Sequence, residues 1–124
     1  MSYSYGLSII NTHLYSNASL ILTNLSFAQR SIWNQIKRFK VTTFGGVPYT
    51  FELLKKLKFS NLNIDSIKYI TQAGGKLDSN VLKYFINVCK AKDIKFFVMY
   101  GQTEASPRMS FVPPEMIDSK AGSI

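Results

Sequence analysis

Phe96-Phe97-Val98-Met99-Tyr100-Gly101-Gln102-Thr103-Glu104 is the stretch on which the fold turns. Its first half is a short apolar run without helical spacing, the pattern of a buried strand. The run stops at an aromatic ring, a glycine, a hydroxyl and a carboxylate. In open α/β sheets ligands bind at the carboxyl ends of strands, so polar groups gathered there are candidates for a site. Tyr100 can offer a ring face to a flat ligand, and Gly101 lets the backbone come close. Thr103 can donate a hydrogen bond to a phosphate oxygen, and Glu104 can hold a hard cation such as Mg²⁺. The loop suits a nucleotide with its metal.

Outward from this stretch, Lys95–Met99 reads as a fourth strand. Before it, Asp78 or Ser79 caps a helix whose apolar residues Val81, Leu82, Phe85, Val88 and Cys89 fall on one face. Ile67–Gln72 is the third strand, ended by Ala73-Gly74-Gly75, with a polar connection over Lys58–Ser66 in front of it. Pro48 fits the first turn of a helix, where its missing N–H would be unpaired anyway. That helix turns Phe51, Leu54 and Leu57 inward and ends in Lys55, Lys56 and Lys58, where cations suit the dipole. Val41–Phe44 is a short β-branched second strand, and Gly45-Gly46 comes directly after it. Ser26 predicts a helix N-cap, with Ala28, Ile32, Ile36 and Phe39 as the buried stripe and Trp33 packed beside it. Ser19–Thr23 reads as the first strand. Leu7, Ile10 and Leu14 recur at helical spacing and predict a helix over Gly6–Tyr15, closed by Asn17. After Glu104, Pro107, Pro113 and Pro114 predict irregular chain.

The order is a helix and then β-α-β-α-β-α-β. Crossovers long enough for a helix imply parallel strands, and right-handed connections place all strand ends on one edge. The expected class is α/β, a mostly parallel four-stranded sheet with helices on both faces. Gly45-Gly46, Ala73-Gly74-Gly75 and Tyr100 to Glu104 would then meet along that edge. A glycine pair taken singly is a tight turn; three such ends on one edge make a ligand cleft.

The bulk numbers agree with one modest domain. The chain has 124 residues, 46% hydrophobic and 18% charged, which excludes a disordered chain. The formal charge is +8, but the lysines are spread over several predicted helices, which reads as solvated surface and not as a nucleic-acid interface. Cys89 is the one cysteine, so no internal disulfide forms, and its apolar helix position reads as core. His13, the one histidine, has no Cys or His partner at ligand spacing and reads as structural or exposed. No run approaches the ~18 apolar residues of a membrane span, so the expected location is the cytoplasm.

Tyr100-Gly101-Gln102-Thr103-Glu104 resembles the Tyr-Gly-x-Thr-Glu signature of the adenylate-forming superfamily, which includes acyl-CoA synthetases, luciferase-like ligases and peptide-synthetase adenylation domains. Other stretches resemble it in order. Tyr3-Ser4-Tyr5-Gly6-Leu7 is similar to a segment that lines the acyl pocket. Val41 to Leu54 looks like the family's strand, Val-Pro turn and helix. Ile67 to Leu77 resembles Leu-Arg-x-Ile-x-Ser-Gly-Gly-Ala-Pro-Leu, with Lys76 where proline is common. Arg108 to Glu115 and Lys120 to Ile124 resemble the segment on the C-terminal side of this signature in acyl-CoA synthetase-like members.

The resemblance implies roles by position. Gly74, Gly75 and Lys76 form the loop that packs on adenine. Met99, Tyr100, Gly101, Gln102 and Thr103 complete the nucleotide set, with the Tyr100 ring stacked on the base. Thr103 contacts phosphate and Glu104 ligates Mg²⁺, and these two are the catalytic candidates. Tyr3, Tyr5 and Gly74 are assigned to the acid pocket. The implied activity is ATP-dependent activation of a carboxylic acid as acyl-adenylate, with AMP released on transfer to CoA or a carrier-protein thiol. The family's phosphate loop, ribose-binding aspartate and C-terminal domain have no counterpart in residues 1–124, which marks an excised subdomain, inactive alone and prone to self-association through exposed apolar surface. Two alternatives differ in class. An amino-acid adenylation domain needs a pocket Asp for the substrate amine. A free-standing flavodoxin- or receiver-like module needs acidic residues after its first and third strands, where this chain has Asn24 and none.

Overall fold

The computed structural model describes residues 4–123; Tyr3, assigned above to the acid pocket, and Ile124 lie outside the described residues. Helix α1 (Ser4–Tyr15) forms where the spacing predicts it. Asn17 closes it in the left-handed region at φ 52°, and the Ala18 N–H reaches back to the His13 carbonyl at 2.8 Å. Asparagine tolerates that conformation better than most residues.

Helix α2 (Arg30–Arg38) starts later than Ser26 predicts. The Ser26 hydroxyl accepts from the Ala28 N–H at 3.2 Å, and Gln29 Oε1 accepts from the Ser26 N–H at 2.8 Å. These bonds shape a turn in front of the helix instead of capping it. Ile32 and Ile36 are buried as expected, whereas Ala28 and Phe39 face solvent. Trp33 packs near Phe27 and Phe59 and donates its Nε1–H to the Phe27 carbonyl at 3.0 Å.

Strands β1 (Thr43–Gly46), β2 (Tyr69–Gln72) and β3 (Lys95–Gln102) are parallel neighbours, joined by α3 (Pro48–Lys56) and α4 (Ser79–Ala91). Pro48 holds the first turn of α3 as predicted. In register, Phe44, Ile70 and Phe96 share one face of the sheet. Onto that face pack Phe51 and Leu54 of α3 and Phe85 of α4, each fully buried. The Phe51 ring lies 4.9 Å from Phe85 and 5.5 Å from Phe96, centre to centre, which is contact distance for aromatic pairs. Burying one such side chain stabilises the fold by about 1.5–3 kcal/mol. Leu57, expected inside, is instead partly exposed at the end of α3. Helix α1 covers part of the opposite face, so helices flank both sides, as expected.

Two expectations about the strands also need correction. Ser19–Thr23 is not a strand: β1 has a ladder partner only in β2, and Leu22 is 74% exposed. Its contact here is through a side chain: Thr23 Oγ1 accepts from the Leu25 N–H at 3.2 Å. The fourth strand comes instead after the motif: β4 (Ser106–Val112) runs antiparallel to β3. Pro107 is tolerated there because β4 is an edge strand, whose outer N–H groups need no partner in the sheet. The sheet is four-stranded and mostly parallel, in the order β1-β2-β3-β4.

Cys89 is buried on α4, and burial pushes its thiol up to about 12. It is no thiolate nucleophile at neutral pH. Asp78 settles the capping alternative: its Oδ1 accepts from the N–H groups of Asn80 (2.9 Å) and Val81 (3.2 Å). Asp78→Ala is expected to lower unfolding stability by about 1 kcal/mol. Denaturant titration checks this, and an unchanged midpoint would refute the cap.

Candidate functional site

Parallel pairing puts Gly46, Gln72 and Val98 in one row at the carboxyl ends of β1 and β2. The Ala73 N–H extends the row by bonding the Gly46 carbonyl at 3.1 Å. Counted from this row, Gly74 and Tyr100 each stand two residues further along their chains. The glycine loop therefore leaves β2 beside the part of β3 that carries Tyr100, where β3 runs on past the last β2 pair to Gln102.

The loop needs its glycines. Gly74 has φ 84° and Gly75 φ 149°, backbone that residues with a Cβ rarely adopt. Gln72 Nε2 donates to the Gly75 carbonyl at 2.8 Å. Gly74, Gly75 and Lys76 are all exposed.

On the neighbouring strand, Tyr100 is 41% exposed, and its hydroxyl accepts from Gln102 Nε2 at 2.7 Å. The ring is thus held at its edge by hydrogen bonding while carbon surface stays open. Met99 is half-buried and pairs with Phe111 of β4. Gly101 has a different reason from the one its sequence position suggests. It sits where the β3–β4 register shifts, and a Cβ there would lie 2.2 Å from the Pro107 carbonyl oxygen. The close approach it permits is to β4.

Thr103 and Glu104 occupy the connection to β4, and both are exposed. Thr103 Oγ1 lies 3.1 Å from Ser4 Oγ, at the first residue of α1, so its hydroxyl shares a hydrogen bond with the helix start. The Glu104 carboxylate has no hydrogen-bond or ion-pair partner among the described residues. Those residues also contain no group of three or more His, Cys, Asp or Glu placed to share a metal. Mg²⁺ commonly takes one or two carboxylates and fills its octahedron with substrate phosphates and water. Glu104 fits that mode and does not fit an all-protein metal cage.

Tyr5 is buried between α1 and the sheet, and its hydroxyl shares a hydrogen bond with Thr71 Oγ1 of β2 at 2.5 Å. Gly45 opposes this pair: a Cβ there would come 2.7 Å from Thr71 Oγ1 and 2.8 Å from the Tyr5 hydroxyl. Beside the pair a cleft of about 820 Å³ runs along the face opposite the phenylalanine core. Ile9, Phe97 and Met99 give it apolar walls; Lys40, Lys95 and Arg108 supply cations, and among the described residues no carboxylate lines it. The Arg108 guanidinium lies 5.9 Å from the centre of the Tyr5 ring. His13 also borders the cleft, with Nδ1 2.8 Å from the Ile9 carbonyl of its own helix.

Sequence reasoning missed Thr71, Gly45 and Arg108 as neighbours of Tyr5. The signal for Arg108 was the alternation Arg108-Met109-Ser110-Phe111, a strand period hidden by the flanking prolines. Gly101→Ala is expected to lower stability by about 1–3 kcal/mol, because β4 must move away from the added methyl. Thermal melting checks this; an unchanged melting temperature would show that the two strands are not packed as described.

A family model described as AMP-binding enzyme matches residues 1–124. Comparison with curated protein sequences yields no match. Among solved structures, the N-terminal domain of FACL13 from Mycobacterium tuberculosis is 21% identical, with a TM-score of 0.79 over 97% of this chain and 30% of its own. A double mutant of o-succinylbenzoate CoA synthetase from Bacillus subtilis, bound to a product analogue, is 25% identical, with a TM-score of 0.78 over 97% of this chain and 23% of its own. The luciferase-like enzyme of the nonluminescent mealworm Zophobas morio is 16% identical, with a TM-score of 0.79 over 98% of this chain and 29% of its own. The Bacillus subtilis enzyme has also been solved with the acyl-adenylate OSB-AMP, with AMP, and with ATP and magnesium ion. The chain thus spans less than a third of the length of each of these neighbours.

Proposed function

Because the chain belongs to the family of AMP-binding enzymes, we propose that it is the central part of an ATP-dependent ligase that activates a carboxylic acid as its acyl-adenylate and passes the acyl group to a thiol, that of CoA or of a carrier arm. The observation that carries this reading is the shared rim, where the Gly74-Gly75 loop leaves β2 beside the Tyr100 stretch of β3. On this reading the glycine backbone and the Tyr100 ring hold the base between them. Thr103 turns its hydroxyl from Ser4 to a phosphate oxygen, beside the start of α1, where helix amides favour negative charge. Glu104 is the free carboxylate that would hold Mg²⁺. When bound, that ion neutralises charge developing on the phosphates. The residues act by alignment: they fix the α-phosphate for in-line attack by the substrate carboxylate, with pyrophosphate leaving.

The cleft beside Tyr5 and Thr71 takes the body of the acid. Its cations suit an anion and do not suit the ammonium of an amino acid, which favours a simple acid over the amino-acid adenylation reading. The phosphate loop, the ribose contact and the adenylation-driving lysine would come from elsewhere in a longer chain, and these 124 residues alone would be inactive. Exposed Met109 and Phe111 on edge strand β4 would be covered there, and would promote self-association when left open.

In the full-length enzyme, Glu104→Gln is expected to lower acid-dependent ATP–pyrophosphate exchange by about 10²–10³-fold, the usual effect of losing one well-placed electrostatic contact. Exchange unchanged by this substitution would remove Glu104 from the mechanism. Exchange supported by amino acids and by no simple acid would overturn the choice of substrate class.

A further inference from the structure

We propose that Gln72 is a positioning residue for the nucleotide, its side-chain amide holding the Ala73-Gly74-Gly75 loop in the shape that lies against the base. The inference rests on the reading that Gly74 and Gly75 meet adenine. Gln72 is 0% exposed and closes a strand paired on both sides, with Gly46 and Val98 as its register partners. Its backbone is therefore as fixed as any in the sheet. From this base Nε2 reaches over the glycines to the Gly75 carbonyl at 2.8 Å. The acceptor sets the amide's orientation, because turning it over would oppose two carbonyl oxygens.

The other half of the amide has no partner, a state it shares with Gln35 Oε1 among the described residues. Gln72 Oε1 is closed to solvent and has no hydrogen-bond partner among the described residues. An unpaired buried acceptor is destabilising, so for packing alone an apolar side chain of the same length would serve better. What an apolar side chain cannot do is hold Gly75. Two glycines with positive φ leave the loop many conformations, and the Nε2 bond selects one of them. The Pro48 ring limits the loop from the side: its Cγ is 3.3 Å from where a Gly75 Cβ would stand.

The test is equilibrium binding to the full-length enzyme of two probes, magnesium-ATP and magnesium tripolyphosphate, the second lacking a base. Gln72→Met is expected to weaken magnesium-ATP binding about tenfold and to leave tripolyphosphate binding unchanged. Equal weakening of both, or of neither, overturns the proposal, since a role in packing alone would not single out the base. Gln72→Glu keeps the proposal open to refutation if the methionine variant does not fold. A buried carboxyl titrates high, and only its neutral form can donate to the Gly75 carbonyl. Its magnesium-ATP affinity, relative to wild type, is expected to fall as pH rises, with tripolyphosphate unaffected; a ratio flat with pH overturns the proposal. Wild-type enzyme that binds no magnesium-ATP would overturn the ligase reading and this inference together, whereas the variant outcomes bear on this inference alone.

Discussion

The hydrogen-bond ladder between β1, β2 and β3 is the constraint on which the rim depends. Parallel strands must be joined by crossovers, and here α3 and α4 supply them. Both helices press the same face of the sheet through Phe51, Leu54 and Phe85, against Ile70 and Phe96. A register slip by one residue would turn these side chains to the other face and expose them. The core therefore fixes the register, and the register fixes which loops meet. Gly46, Gln72 and Val98 share a row because the phenylalanines beneath them leave no other choice.

From that row the two faces do different work. The phenylalanine face is dry and closely packed. The opposite face carries Thr71, Phe97 and Met99, and α1 covers it only in part. Tyr5 bridges helix and sheet through Thr71, and Gly45 leaves room for that bond. The segment after α1 does not join the sheet and forms part of the cleft wall through Ala18, Leu20 and Ile21. The same arrangement gives the rim its polar groups and the opposite face its space.

Much of this was legible in the residues. The apolar run Phe96 to Met99, the spacing of Val81, Leu82 and Phe85, and Pro48 at a helix start each reported local physics that the fold obeys. The misread elements are those whose state depends on distant partners. Ser19 to Thr23 is β-prone, yet it does not pair with the edge that β1 leaves open, so propensity alone does not make a strand. Ser106 to Val112 carries a proline, yet an edge strand tolerates it because β3 pairs with one side only. In the site, the reading of Gly101 as a place of close backbone approach did not reveal that the Pro107 backbone lies against it, because that neighbour comes from a strand the prolines concealed. The buried amide of Gln72 gave no sequence signal, because a polar residue at a strand end looks solvated until the loop folds over it.

The central claim is that the loop after β2 and the segment ending β3 grip one ligand together. Amide hydrogen exchange of the full-length enzyme, with and without magnesium-ATP, tests it most directly. The account predicts slowed exchange in residues 73–76 and in residues 100–104 at the same nucleotide concentration. Protection confined to one of these segments, or found only elsewhere in the chain, would contradict it.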